Sequence, residues 1–452
     1  MNTISTAPSR SPFSIPNIRL FIAFKVLFNS RFYYPVFTIL FLDFGLTVAQ
    51  FSILNAVWAA TIVLTEVPSG ALADIIGRKR LLVFAAFIMI VEIGIISFIP
   101  KADPLVIFMV FLVNRVLSGL AEAAASGADE AIAYDSLASQ GNPDQWGRVL
   151  EVLIRFQSIG FIVAMSVGAA IYDPVLLEKI CRFFGLAVKL SQETTMRFPL
   201  YLTFFLAVLA FITTLKMEEP ACESSSSDCG TKQISQAFGL TLKAGFWILK
   251  TPFALSVILF GMLFDGIIRM TVTLSSQYYR MIELPESTFG IIGSLVAMLG
   301  LVIPKMAKKI AENRSPSFSL WITAGLTIAG LSTMSFFWPY AGLLPALVTF
   351  GSMYFTGFFV SFYINQITSS DQRATVLSFK GLSYNISYGV LGIFYALLLK
   401  IKKQGIDSAQ VENIVFKDTF SWFPIAFSVW FFILITIYFL WFNRPSSLPK
   451  EE

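Results

Sequence analysis

The sequence predicts an all-α membrane protein of about twelve transmembrane helices in two pseudo-symmetric six-helix bundles, and three observations carry that reading. Only 13% of the 452 residues are charged and 56% are hydrophobic, against roughly 25% charged in an ordinary soluble domain. The mean hydropathy is +0.72, and it is spread along the whole chain: apolar runs of about 20 residues, the length needed to cross a bilayer, recur between short polar segments. The longest hydrophilic interruption falls near the middle and divides the runs six and six.

The spans are expected at 18–42, 49–69, 81–100, 104–126, 148–171 and 199–216, then 252–275, 286–306, 317–338, 341–366, 376–399 and 418–442. Domains follow from these bounds: a cytoplasmic tail 1–17, a first bundle 18–216, a cytoplasmic linker 217–251, a second bundle 252–442 and a cytoplasmic tail 443–452. The first seventeen residues are polar and lack the charged and apolar regions of a signal peptide. Within the linker, Phe238, Leu242, Phe246 and Ile248 space out one face of an amphipathic helix. Both termini are placed in the cytoplasm by Arg78-Lys79-Arg80 after span two and by Lys305, Lys308, Lys309 and Arg314 after span eight. External Lys400, Lys402 and Lys403 argue mildly the other way. The external stretch 172–197 carries Val175, Leu176, Ile180, Phe183, Phe184 and Val188, an apolar face suited to a helix on the membrane surface.

The chain has no histidine. That excludes zincin motifs, Ser-His-Asp triads, His-ligated haem and a histidine proton sensor together, so proton handling rests on carboxylates. Cys181 stands alone, and Cys222 and Cys229 are spaced like no common metal motif; no metal site is expected. No Gly-x-x-x-x-Gly-Lys-Ser/Thr sequence occurs to hold ATP. Asp144-Gln145 with Val149-Leu150 before span five, and Asp371-Gln372 with Val376-Leu377 before span eleven, stand at equivalent places in the two halves and suggest a duplicated unit.

Between spans two and three the chain reads Gly70-Ala71-Leu72-Ala73-Asp74-Ile75-Ile76-Gly77-Arg78-Lys79-Arg80, led in by Glu66-Val67-Pro68-Ser69. This resembles the signature loop of the major facilitator superfamily, Gly-x-Leu-Ala-Asp-x-x-Gly-Arg-Lys. Gly70 and Gly77 permit close helix approach and a sharp turn. Asp74 can sit against a helix N-terminus, and Arg78, with Lys79 beside it, can pair with a carboxylate on the same face. The resemblance extends to Arg115-Val116-Leu117-Ser118-Gly119 in span four, with Ser118 where the family has glutamine. It also takes in Ser126-Gly127-Ala128-Asp129-Glu130, Tyr134-Asp135-Ser136-Leu137 and Arg373-Ala374-Thr375-Val376-Leu377-Ser378, which are similar to a bacterial branch of the family. It implies a cytoplasmic gate of Glu66, Gly70, Asp74, Gly77, Arg78, Lys79, Asp129, Glu130, Asp135 and Arg373. Asp129, Glu130 and Asp135 are the candidate partners of Arg78, with Asp135 favoured. Span five has Gly160 and Gly168 but no Gly-Pro pair like the family's antiporter signature, and Pro304 to Arg314 has lysines where a second signature loop would stand.

Charges within spans are costly and mark functional positions. At about 1.5 Å rise per residue, Arg31, Arg115 and Asp265 fall near mid-depth on spans one, four and seven, and Arg269 follows Asp265 by one turn. The resemblance implies that these spans, with span ten, line a central cavity, here of Lys25, Arg31, Arg115, Glu122, Asp265, Arg269 and Tyr354. Several arginines facing few acids suit an anionic or zwitterionic solute. Glu92 and Arg155 lie on helices outside that ring and are expected to neutralise neighbours. Asp265, a carboxylate between low-dielectric surroundings and nearby arginines, is the leading coupling residue, with a static ion pair as the alternative.

The chain is therefore expected to be a secondary active transporter of a small organic solute, working by alternating access with no cofactor beyond a proton or other ion gradient. It is not expected to be an enzyme. It is further expected to sit as a monomer in a bacterial inner membrane, with solute and lipid as partners and no nucleic acid. An uncoupled facilitator on the same fold, or a non-transporting sensor, are the alternatives.

Overall fold

The computed structural model describes residues 11–100, 102–140, 143–219, 239, 243, 245–368, 373–404 and 411–442, with the backbone alone for residues 71, 74, 143, 373, 374, 441 and 442. Among the described residues the regular structure is all helical, without a strand. In order the helices are α1 (Pro16–Asn29), α2 (Phe37–Asp43), α3 (Val48–Ile76), α4 (Arg78–Ser97), α5 (Pro104–Ala125), α6 (Ala128–Ala138), α7 (Trp146–Tyr172), α8 (Pro174–Phe183) and α9 (Gln192–Thr195). They continue as α10 (Phe198–Leu215), α11 (Pro252–Thr273), α12 (Ser275–Met281), α13 (Phe289–Asn313), α14 (Pro316–Met334), α15 (Leu343–Ile367), α16 (Arg373–Lys403), α17 (Val411–Phe420) and α18 (Trp422–Phe442).

Local sequence sets many of these bounds. Pro16, Pro104, Pro174, Pro252 and Pro316 each open a helix, where a missing N–H costs nothing and φ is already helical. Asp173 caps α8 by accepting hydrogen bonds from the Val175 and Leu176 N–H groups, and Ser315 caps α14 through Phe318 N–H. Each satisfies a donor that an unpaired helix start would leave open.

Among the described residues, eleven helical segments are long and apolar enough to cross a membrane. The twelfth expected span, the first, is broken: α1 ends at Asn29, Ser30–Tyr33 turn, and a short 3-10 helix over Tyr34–Val36 leads into α2. Pro35 has no N–H to give an α-helical ladder. The turn also buries Arg31 at 2% exposure, which a continuous hydropathy window does not anticipate. Of the expected linker, residues 220–238, 240–242 and 244 lie outside the described residues, Phe238 and Leu242 of the amphipathic face among them; residues 245–250 are helical, with Phe246 exposed and Ile248 buried. The external stretch does form a helix, α8, with Val175, Ile180 and Phe183 exposed.

The chain divides into two compact units. Unit 1 comprises residues 1–46, 61–237 and 286–294. At one end of this unit Ile18, Phe21 and Ile22 of α1 pack with Ala133 and Leu137 of α6 and with Val149 and Leu153 of α7. Further along α7, Gly168 meets the backbone of Phe32: a Cβ there would stand 1.8 Å from the Phe32 carbonyl oxygen. Gly168→Ala is therefore expected to cost about 1–3 kcal/mol of stability and to lower the melting temperature of the detergent-purified protein, because backbone cannot step aside as a side chain can. An unchanged melting temperature would contradict that packing.

Unit 2 comprises residues 47–60, 238–285 and 295–452. Its core joins Ala254 and Ile258 of α11, Val360 and Ile364 of α15, and Val376 and Tyr384 of α16. Small residues again allow close approach, since Gly266 faces Ser387 and Gly392 faces the Ser52 carbonyl oxygen.

Candidate functional site

Three polar constellations stand out, two in unit 1 and one in unit 2. The first is the Gly70–Arg80 segment. Gly77 takes φ +94°, a left-handed turn that glycine alone adopts without strain, and it lets α3 hand over directly to α4. The Arg78 guanidinium pairs with the Asp135 carboxylate on α6. The other two expected partners lie elsewhere, with Lys25 2.6 Å from Asp129 and 3.9 Å from Glu130. Lys25, expected in the cavity, is thus a helix clamp between α1 and α6, because only nine residues separate it from the start of α1 at Pro16. Glu66 is half-buried with an unbonded carboxylate oxygen, Gly70 faces open space, and Ser69 ties α3 to the Ala123 carbonyl of α5 at 2.6 Å. The side chains of Asp74 and Arg373 lie outside the described residues.

Sequence reasoning missed Glu219. Its carboxylate accepts hydrogen bonds from the backbone N–H groups of Arg78 at 2.9 Å and Lys79 at 2.7 Å, placing a negative charge on the positive end of the α4 dipole. Asn17 Nδ2 reaches the neighbouring Glu218 carbonyl oxygen at 2.7 Å. The Glu218-Glu219-Pro220 sequence just past an apolar span was the only available signal. Glu219→Gln is expected to weaken this cap by about 1 kcal/mol and to speed amide exchange at residues 78–81, with other helices unaffected. Uniform exchange in the variant and wild type would remove the cap.

The second constellation is buried at the break between α1 and α2. Arg31 Nη1 donates to Glu92 Oε1 on α4 at 2.8 Å and to the Tyr33 hydroxyl at 3.0 Å, while Nη2 lies 3.9 Å from Glu122 Oε2 on α5. Asn114 Nδ2 donates to the Glu92 carbonyl oxygen at 2.8 Å. Arg115, also buried, stacks over the Phe37 ring at 5.4 Å. Glu92 thus joins the residues it was expected to lie outside, and two arginines meet two glutamates. The excess of cations expected here is absent among these groups, because Glu92 on α4 reaches inward to the broken segment. Arg155, by contrast, pairs with Glu151 on its own exposed face.

The third constellation joins α11 and α16. Arg269 Nη2 lies 2.5 Å from Asp265 Oδ2 and Nη1 donates to Asn385 Oδ1 at 2.9 Å. The guanidinium sits 5.4 Å from the centroid of the Tyr388 ring, whose hydroxyl donates to Thr273 Oγ1 at 3.1 Å. Lys380 acts electrostatically on Asp265 and lies over the Tyr384 ring at 5.8 Å. One cation therefore pairs with the carboxylate and a second acts on it from further off. Lys380, Asn385 and Tyr388 were not singled out from the sequence, although Lys380, Tyr384 and Tyr388 recur every four residues and mark one helix face. Tyr354 packs toward Gly300 on α13 instead of joining this cluster.

A model of the Major Facilitator Superfamily matches residues 20–392. The chain belongs to that superfamily. Membership makes it a multi-pass membrane transporter and not an enzyme, and accounts for the helix order and the Gly70–Arg80 segment together. Among solved structures, the nucleoside transporter NupG is 15% identical with a TM-score of 0.70, covering 94% of this chain and 98% of its own. A bacterial homologue of the human lysosomal transporter Spinster, inward-facing and unoccupied, is 15% identical at 0.70 over 96% and 97%. A D-xylose-proton symporter is 13% identical at 0.60 over 96% and 98%. At these identities the likeness is one of fold. No curated protein matches the chain.

Proposed function

We propose that the superfamily member described here is a secondary active transporter of a small anionic or zwitterionic organic solute, driven by proton movement through Asp265. The observation that carries this reading is the charge balance of the α11–α16 cluster, where Arg269 pairs with the Asp265 carboxylate and Lys380 attracts it from further off. An incoming solute carboxylate or phosphate competes with Asp265 for these cations. A carboxylate deprived of its cation in a dry site binds a proton, and one whose cation returns releases it. Solute and proton thus bind together, which is the condition for coupled transport on a scaffold that alternates access. The similar D-xylose-proton symporter indicates that this fold accommodates such coupling.

In this reading Arg78, Asp135, Glu219, Lys25 and Asp129 form the latch that favours one conformation, at the face of a bacterial inner membrane where both termini lie, and the monomer is the working unit. Comparing the small-molecule contents of cells and medium with and without expression, at two external pH values, tests the proposal without a prior guess of cargo. An anionic or zwitterionic solute whose distribution shifts with expression and with pH is expected. A shift indifferent to pH would indicate an uncoupled facilitator, and no shift at all would favour a sensor; either outcome overturns the coupled reading.

A further inference from the structure

Unit 2 contains a crevice among α11, α14, α15 and α18 that no step of solute transport uses. It encloses about 140 Å³ and is lined by Ser256, Phe264, Trp321, Thr323, Tyr363 and Phe439 among others. That is close to the size of an apolar cavity of about 150 Å³ that stays dry and takes benzene. Five of its hydroxyl groups are already occupied. Ser256, Thr323 and Thr356 donate to the carbonyl oxygens of Pro252, Ser319 and Ser352, and Ser319 bonds the Tyr363 hydroxyl at 2.9 Å. The rest of the lining is mainly aromatic and aliphatic, so the fitting occupant is a segment of a hydrocarbon chain.

The position selects which hydrocarbon. Phe253 and Pro316 stand at the starts of their helices, and Tyr363 and Phe439 near the ends of theirs, so the crevice lies at the membrane boundary from which the 305–314 segment projects. Trp321 and Phe439 are about half exposed, leaving the side of the crevice open between α14 and α18. Arg314, two residues before the lining residue Pro316, stacks its guanidinium over Phe318 at 5.5 Å. Exposed Lys305, Lys308 and Lys309 lie one to three turns before Arg314. Basic side chains at a membrane surface attract anionic headgroups.

We infer that the crevice binds one acyl chain of an anionic phospholipid from the adjoining leaflet, with the lipid phosphate held by Arg314. Native mass spectrometry of the detergent-purified full chain tests this with palmitoyl-oleoyl phosphatidylglycerol, phosphatidylcholine of the same chains, and free oleate as probes. Wild type is expected to retain phosphatidylglycerol at least tenfold better than either of the others. Arg314→Gln, an exposed change that leaves the fold intact, is expected to erase the preference over phosphatidylcholine. Ser256→Phe, which fills the crevice, is expected to lower retention of both phospholipids at least tenfold. Equal retention of the two phospholipids by wild type would overturn the inference, as would oleate held as firmly as phosphatidylglycerol. Undiminished retention by a folded Ser256→Phe protein would place the lipid on the outer surface and overturn it as well. If Ser256→Phe does not fold, a preference unchanged in Arg314→Gln overturns it alone.

Discussion

Glu92→Leu is expected to strip unit 1 of a large part of its stability. Arg31 is 2% exposed and Glu92 fully buried, and their 2.8 Å contact joins α4 to the break after α1. Removing one partner of a buried ion pair leaves the other charge uncompensated, at a cost of about 3–5 kcal/mol. The whole margin of a folded domain is only about 5–15 kcal/mol. Glu122, 3.9 Å from the same guanidinium and itself 40% exposed at the side chain, is too distant and too wet to substitute. The double change Arg31→Met and Glu92→Leu removes both charges while keeping volume, and is expected to recover most of the loss. Yield of monodisperse protein and melting temperature in detergent report both variants. A single variant as stable as wild type, or a double no better than the single, would show that the pair does not hold these helices together.

The second large effect is expected at Asp265. Asp265→Asn keeps the shape of the side chain, and Arg269 keeps its 2.9 Å bond to Asn385, so the helices remain packed. What is lost is a group that exchanges a proton for a cation. Uphill accumulation of the solute is expected to fall about 5- to 150-fold, the range of a site-to-site coupling of about 1–3 kcal/mol, while downhill exchange survives. Lys380→Met acts differently: it removes a charge-assisted contact of about 1.5–3 kcal/mol and is expected to weaken solute binding with coupling retained. If Asp265→Asn accumulates solute like wild type, the Asp265–Arg269 pair is a static clamp between turns of α11.

Much of the fold was legible because the bilayer imposes it: eleven of the expected spans correspond to long apolar helices. The first span misled because hydropathy averages over a window. It saw the apolar residues flanking Arg31, but not that Pro35 and a buried guanidinium would break the helix between them. In the loop after α3, the glycine and arginine spacing was informative because each residue there meets a backbone or charge requirement of its own, as Gly77 at φ +94° and Arg78 on Asp135 illustrate. Glu219 and Glu92 were harder to place. Each acts on a partner more than sixty residues away, which their own surroundings in sequence do not identify. Lys380 lay hidden at the boundary of a span, where a lysine reads equally well as a topological charge; only the packing of α16 on α11 brings it to Asp265.

Proteoliposomes containing the purified chain, a pH-sensitive dye inside and the solute found by metabolite comparison added outside test the central claim most directly. With wild type, adding solute is expected to move protons across the membrane, and an imposed pH gradient is expected to drive solute uphill. With Asp265→Asn, solute is expected to equilibrate without proton movement. Solute flux with no proton movement in wild type, or proton movement unchanged in Asp265→Asn, would contradict coupling through this carboxylate.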